Sequence, residues 1–310
     1  MAQRPHWLGE IVSPDIAVML RAAGLETSAI TALVISAITE DLDGGVDVTT
    51  ASTVAPNQMS RIELTARAHG VVCGAVVAAA VFDLVSKQQA KIEIVTPDSL
   101  EVNSGDVIVR VEGPTHALLT AERSALNILC HLSGIATATA QWVKAIGGTN
   151  AHVRDTRKTT PGMRTLEKYA VRCGGGINHR KSLSDAALIK DNHVVAAGGV
   201  VEAFEAVRKR FPDVPVEVEV DSLDQLKAVV DAGADLVLLD NFTSAQVRQA
   251  VEINAGRAKL EASGGLTLAV AHEYAATGVD YLAVGAITHS APILDIGADL
   301  YEIPTHIGGE

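Results

Sequence analysis

Polar and apolar positions change rhythm once along this chain. Ile30, Leu33, Val34 and Ala37 recur at three- and four-residue spacing and predict one apolar helix face over residues 28–40. Arg61-Ile-Glu-Leu-Thr-Ala-Arg67 alternates with period two, as a half-buried strand does. An apolar run predicts a helix over Ala75–Val85. Lys91-Ile-Glu-Ile-Val95 and Asp106–Glu112 predict two further strands, punctuated by Gly105-Asp106 and Gly113-Pro114. Strands with segregated helices over the first 120 residues predict an α+β sandwich. Leu126–Ile146 is broken by Asn127, His131, Ser133, Gln141 and Lys144. It suits a buried helix better than a membrane span, which needs about 20 mostly apolar residues.

After residue 150, short apolar runs each end in a polar residue. They are Ala151–Asp155, Ala187–Asp191, Val216–Glu219, Leu236–Asp240, Leu260–Ser263 and Tyr281–Gly285. The last four ends lie 21, 23 and 22 residues apart, with helical segments such as Val200–Arg210, Leu223–Ala232 and Ala245–Asn254 between them. Near-continuous apolar strands at this spacing belong to a parallel sheet covered by helices, and about six βα units predict a barrel. An open doubly wound sheet competes, but no GxGxxG fingerprint follows any strand.

Composition narrows the class. A chain of 310 residues that is 48% hydrophobic folds as about two domains, and 3% aromatic content suits tightly packed α/β layers. The net charge of −12 disfavours nucleic acid and anionic membranes as partners. Cys73, Cys130 and Cys173 form no CxxC, so a reduced cytoplasmic setting is expected, and Met1-Ala-Gln-Arg-Pro-His lacks the apolar core of a leader.

The charge is unevenly placed. Residues 154–190 hold nine cations and three acids, an excess of six, which leaves −18 for the rest of the chain. Lys168 and Arg172, at i, i+4, read as a solvated helix face. Thr156-Arg-Lys-Thr-Thr-Pro and Gly174-Gly-Gly-Ile-Asn-His-Arg180 read instead as loops with free amides beside cations, the makings of an anion site. In a parallel fold such strand-end residues face the ligand. Ser263-Gly264-Gly265 and Val284-Gly285-Ala286 close two late strands, where a phosphate often sits. Glu219 and Asp240 suit ribose hydroxyls or Mg²⁺. Lys190 suits either an anion anchor or a Schiff-base nucleophile.

Several motifs together resemble the quinolinate phosphoribosyltransferase family. They are Glu40-Asp41 with Asp47-Val-Thr-Thr50, Glu122-Arg-Ser-Ala-Leu-Asn127, Ser133-Gly-Ile-Ala-Thr137 and Asp155-Thr-Arg-Lys-Thr-Thr-Pro-Gly162. They continue through Glu167-Lys-Tyr-Ala-Val171, Gly174–Arg180, Leu188-Ile-Lys-Asp-Asn-His193, Leu239-Asp-Asn-Phe242, Glu261-Ala-Ser-Gly-Gly265 and Gly278–Gly285. The departures are Asp43-Gly-Gly-Val-Asp47, looser than the family form, and Met163 where Leu is common.

The resemblance implies an N-terminal α/β sandwich (residues 1–127, with 291–310 packing on it) and an incomplete α/β barrel of the seven-stranded type (128–290). It reads the first 20-odd residues as an extension. It implies transfer of phosphoribosyl from phosphoribosyl pyrophosphate to quinolinate with loss of CO₂, giving nicotinate mononucleotide for NAD synthesis, with Mg²⁺. Arg123, Arg157, His179, Arg180 and Lys190 would bind quinolinate, and Thr156 and Lys158 would meet pyrophosphate. Glu219 and Asp240 would hold ribose and Mg²⁺, directly or through water or substrate. Ser263, Gly264, Gly265, Val284, Gly285 and Ala286 would cradle the 5′-phosphate. Lys158, Lys190, Glu219 and Asp240 would carry the chemistry. The resemblance also implies a homodimer, or a hexamer of three dimers, with Arg123 reaching across the interface. The rivals are a related pyrophosphorylase of the same fold, a Lys190 aldolase or isomerase, and a non-catalytic phosphoribosyl-ligand sensor.

Overall fold

The computed structural model describes Pro5 and residues 8–303. In chain order the elements are α1 (Pro14–Ala22), α2 (Thr27–Leu42), α3 (Val48–Thr53), β1 (Met59–Ala66), β2 (Gly70–Val71), α4 (Ala75–Val85), β3 (Lys91–Ile94), β4 (Glu101–Val102), β5 (Val107–Pro114) and α5 (Thr115–Ala145). There follow β6 (His152–Arg154), α6 (Arg164–Cys173), β7 (Ala187–Ile189), α7 (Asp191–Ala197), α8 (Val200–Arg210), β8 (Val216–Val220), α9 (Leu223–Asp231), β9 (Leu236–Asp240), α10 (Ser244–Asn254), β10 (Lys259–Ser263), α11 (Ala271–Ala275), β11 (Tyr281–Ala283), α12 (Ala286–His289) and β12 (Ile296–Glu302). The chain divides into two compact units. One runs through Thr137 and resumes at Pro292, and the other spans Ala138–Ala291.

In the first unit, β1 alternates as its sequence predicts, burying Ser60, Ile62, Leu64 and Ala66. Its sheet has the order β12-β1-β5-β3 with antiparallel pairs throughout. Helix α4 is buried along all eleven residues. The Asp47-Val-Thr-Thr motif is a helix cap. Asp47 accepts from the Thr50 amide at 3.0 Å and the Thr50 hydroxyl at 2.5 Å, bonds that hold its carboxyl below the ordinary range. Gly134 lies where the returning chain presses on α5, since a Cβ there would stand 2.1 Å from the Pro292 carbonyl oxygen.

Part of the expected N-terminal extension is structural. Pro14 opens α1, and Ile16 and Leu20 bury one face of it, as Pro at a helix start and i, i+4 apolar spacing predict. The stretch Met1–Arg4, His6, Trp7 and residues 304–310 of the C-terminal segment lie outside the described residues. Ile296–Glu302 pairs with β1.

The second unit holds six parallel strands in the order β6-β11-β10-β9-β8-β7. A seventh position is reduced to one bridge, Ile177 beside Arg154. The sheet curls. Strands β6 and β8 are four spacings apart, about 19 Å if flat, yet Arg154 Nη1 lies 3.9 Å from Glu217 Oε1. Curling into an incomplete barrel brings their side chains together. Ser222 caps α9, and a Thr243/Gln246 capping box opens α10. Among the described residues, no single helix is long and apolar enough to cross a membrane.

Candidate active site

Because all six barrel strands run parallel, their carboxyl ends meet at one end of the barrel. There a cavity of about 570 Å³ is lined by Thr156, Arg157, Lys158, His179, Arg180, Lys190, Glu219, Asp240, Ser263, Gly264 and Gly265, with Asn241, Glu261 and Ala283 beside them. Eleven of the residues expected from sequence thus converge on one space.

Local geometry shows how each is set. Thr156 Oγ1 accepts from the Lys158 amide at 3.0 Å, and Thr288 Oγ1 donates to the Lys158 carbonyl at 2.7 Å. Lys190 caps α7, and its Nζ lies 2.5 Å from Glu219 Oε2, half exposed. The register places Glu219 beside Leu238, so Asp240 follows on the same face of the neighbouring strand. Asn241 Nδ2 donates to Asp240 Oδ2 at 2.8 Å. Gly264 has φ +91°, and a Cβ there would meet Asn241 Oδ1 at 2.2 Å, so this turn requires glycine.

Arg157 and Arg180 are half-buried cations whose Nε atoms have no hydrogen-bond partner. Arg180 Nη1 donates only to the Ala186 carbonyl, at 3.0 Å. Burial, and then Arg157, push its guanidinium below the ordinary value. Buried donors without partners are costly, and an anion entering the cavity would satisfy them.

Beneath these cations lies a fully buried floor. Asp155 accepts from Lys168 Nζ, from the His179 amide at 2.8 Å and from Asn178 Nδ2 at 2.6 Å. Lys168 Nζ also donates to the His179 carbonyl at 2.9 Å. This corrects the solvated-face reading of Lys168. Helix α6 buries most of its residues, and Lys168 enters the interior because Asp155 and a carbonyl await it there. Burial pushes its ammonium below the ordinary value. Arg172 is exposed, as expected, and bonds Asn178 Oδ1. Arg154 Nη1 lies 2.5 Å from Glu261 Oε2, and His179 Nε2 lies 2.6 Å from Glu217 Oε2. Burial, then Glu217, push the Glu261 carboxyl up to about 8.

Four expected residues are not part of this lining, although Gly285 packs against Lys158. Val284, Gly285 and Ala286 are outside the lining, which ends at Ala283. The Val284 amide is spent on the Arg154 carbonyl at 2.9 Å, and Ala286 opens α12. Arg123 sits on α5 in the first unit, in a separate pocket with Arg67, Glu122 and Asp295. Sequence reasoning gave no role to Asp155 beyond its strand end, nor to Glu261. Their signal was an acid in or just after a barrel strand.

The motifs behind this geometry recur in known proteins. Residues 135–299 match the family model for the quinolinate phosphoribosyl transferase C-terminal domain, and residues 47–133 match the N-terminal domain. A nicotinate-nucleotide pyrophosphorylase (carboxylating) from Mycobacterium leprae is 51% identical, over 85% of this chain and 94% of that protein. The Homo sapiens protein of that name is 37% identical, over 87% of this chain and 91% of its own length. The crystal structure of NadC from Streptococcus pyogenes aligns with a TM-score of 0.86 at 38% identity, covering 90% of this chain and 99% of that one. With both domains matched and the cationic barrel end in place, the chain belongs to the quinolinate phosphoribosyl transferase family.

Proposed function

We infer that this chain transfers a phosphoribosyl group from phosphoribosyl pyrophosphate to quinolinate and releases CO₂ and pyrophosphate, forming nicotinate mononucleotide for NAD synthesis. The observation that carries the reading is the cation cluster at the barrel end: Arg157 and Arg180 with unpartnered buried donors, beside Lys158 and the Glu219-paired Lys190. Quinolinate brings two adjacent carboxylates, and its co-substrate brings a monophosphate and a pyrophosphate. Few other small-molecule pairs need so many fixed cations.

In this reading Arg157, Arg180, His179 and Lys190 bind the quinolinate carboxylates, and Thr156 and Lys158 meet the pyrophosphate. Ser263, Gly264 and Gly265 approach the 5′-phosphate. Glu219 and Asp240 hold the ribose and stabilise the positive charge that grows on it as pyrophosphate leaves. The pyridine nitrogen captures the sugar carbon. The adjacent carboxylate then departs as CO₂, and a proton replaces it. The cationic nitrogen stabilises the transient carbanion. Lys158, Lys190, Glu219 and Asp240 act by position and electrostatics.

Glu219 and Asp240 offer hard oxygen donors on one face of neighbouring strands, which fits Mg²⁺. When bound, Mg²⁺ would offset the charge of the pyrophosphate. The working unit in this proposal is a homodimer, in which the partner subunit's Arg123 completes the quinolinate site. Larger assemblies such as a trimer of dimers are compatible with it. A cytoplasmic setting agrees with Cys73, Cys130 and Cys173, which are buried and form no disulfide.

The test is release of labelled CO₂ from carboxyl-labelled quinolinate by the full chain, dependent on phosphoribosyl pyrophosphate and Mg²⁺. Nicotinate, lacking one carboxylate, would leave buried cations unpaired. Its kcat/KM is expected to fall by about 2–5 kcal/mol, roughly thirtyfold to several thousandfold. Absence of CO₂ release, or equal turnover of nicotinate, would overturn the reading.

A further inference from the structure

His179 is held at three points. Its amide donates to Asp155, its carbonyl accepts from Lys168, and its ring Nε2 lies 2.6 Å from Glu217 Oε2. The two side chains of that last pair are 6% and 4% exposed, so water does not screen them. Only ring Nδ1 remains. It has no partner among the described residues, yet it is not among the buried unsatisfied atoms, and His179 lines the cavity. Glu217 Oε1 is buried without a hydrogen-bond partner, with Arg154 Nη1 at 3.9 Å. The same Arg154 atom lies 2.5 Å from Glu261 Oε2, and Glu261 Oε1 stands 3.7 Å from His179 Nε2.

We propose that Glu217 is a positioning residue for the reaction: by accepting from Nε2 of His179, it turns Nδ1 into the cavity, where it meets a substrate carboxylate. The reason is elementary. An imidazole offers one donor and one acceptor when neutral, and two donors when charged. A neutral ring whose Nε2–H is spent on Glu217 would show a lone pair to the incoming anion. With Glu217 at Nε2 and a substrate carboxylate at Nδ1, the bound ring has an acceptor at each nitrogen, so it takes up a second proton from solvent as quinolinate binds and Nδ1–H meets the substrate. Without Glu217, either nitrogen could face the cavity, in either state. Glu217 is two residues before Glu219 on β8, so one strand would both orient the ring and present the ribose-facing acid.

The proposal rests on the quinolinate reading above, and the test separates the two. In full-length wild-type protein labelled with ¹⁵N-histidine, free of ligand, the His179 resonance should show a protonated Nε2. Addition of quinolinate should then move Nδ1 to its protonated position. An unprotonated Nε2 in the free protein overturns the proposal, whatever the enzyme turns over. In kinetics, Glu217→Gln should raise the quinolinate KM about tenfold, the scale seen when a partner that orients a functional His is removed. The phosphoribosyl pyrophosphate KM should stay within about twofold. In a His179→Gln background, the same Glu217→Gln change should have almost no further effect. Equal penalties in both backgrounds, or both KM values rising together, would show Glu217 to be merely structural and overturn the proposal. Should Glu217→Gln fail to fold, the wild-type spectra decide alone. Failure of wild type to release CO₂ would count against the quinolinate reading, with the free-protein Nε2 result still standing.

Discussion

The mouth and the floor of the barrel cavity carry similar residue types to opposite ends. At the mouth, Arg157 and Arg180 keep buried Nε donors without a partner, and Lys190 shares Glu219 while half exposed. On the floor, Lys168 with Asp155, Arg154 with Glu261 and His179 with Glu217 are paired within the chain and nearly all hidden from solvent, although Arg154 Nε, Glu217 Oε1 and Glu261 Oε1 carry no hydrogen bond. The same side chains are therefore ligand-seeking in one layer and scaffold in the next. What separates them is whether the partner is already present in the chain.

That contrast can be broken or sharpened by substitution. The largest effect is expected from Lys168→Ala. It leaves Asp155 buried and unpaired, at a cost of about 3–5 kcal/mol in denaturant unfolding. Arg157→Ala or Arg180→Ala should instead leave the unfolding midpoint nearly unchanged. Each should lower kcat/KM for quinolinate by about 2–5 kcal/mol in steady-state kinetics. Comparable losses of stability from mouth and floor variants would erase the distinction.

A pH series tests the floor from another side. The Glu261 carboxyl sits at about 8 in the folded protein, against an ordinary value of 4.5. The fold therefore binds this proton more tightly than the unfolded chain does. The resulting stabilisation is complete below pH 4.5 and is lost as pH rises towards about 8, by at most about 1.4 kcal/mol per pH unit. Glu261→Gln should remove that slope, seen as the difference between wild-type and variant unfolding curves across this window. The smallest effect is expected from Glu219→Gln. Its half-exposed pair with Lys190 should be worth less than about 1 kcal/mol of stability, while turnover falls.

Much of this arrangement was legible in advance where a pattern is local. The α4 and α8 boundaries follow from apolar runs and periodicity, and the strand ends from runs that stop in a polar residue. Helix α1 falls within the stretch that reads as an extension, although Ser13-Pro14 and the Ile16/Leu20 spacing announce it. Lys168 could not be read. Its distance of four from Arg172 mimics a surface stripe, and its true partner lies 13 residues upstream, just after β6. Val284-Gly285-Ala286 looked equivalent to Ser263-Gly264-Gly265. A backbone bond from Val284 to Arg154 occupies the first of its amides, a bond that no composition rule reports, while Gly285 packs against Lys158.

The pairing of β12 with β1 has a consequence in time. Ser60 meets Glu302, so the outer partner of β1 is among the last described residues to be synthesised. At about 5–20 residues per second, β1 waits on the order of 10–50 s on the ribosome with one hydrogen-bonding edge open, while the whole barrel is made. An open edge is a template for pairing with other chains. The first unit is thus the first to be translated and the last to be sealed.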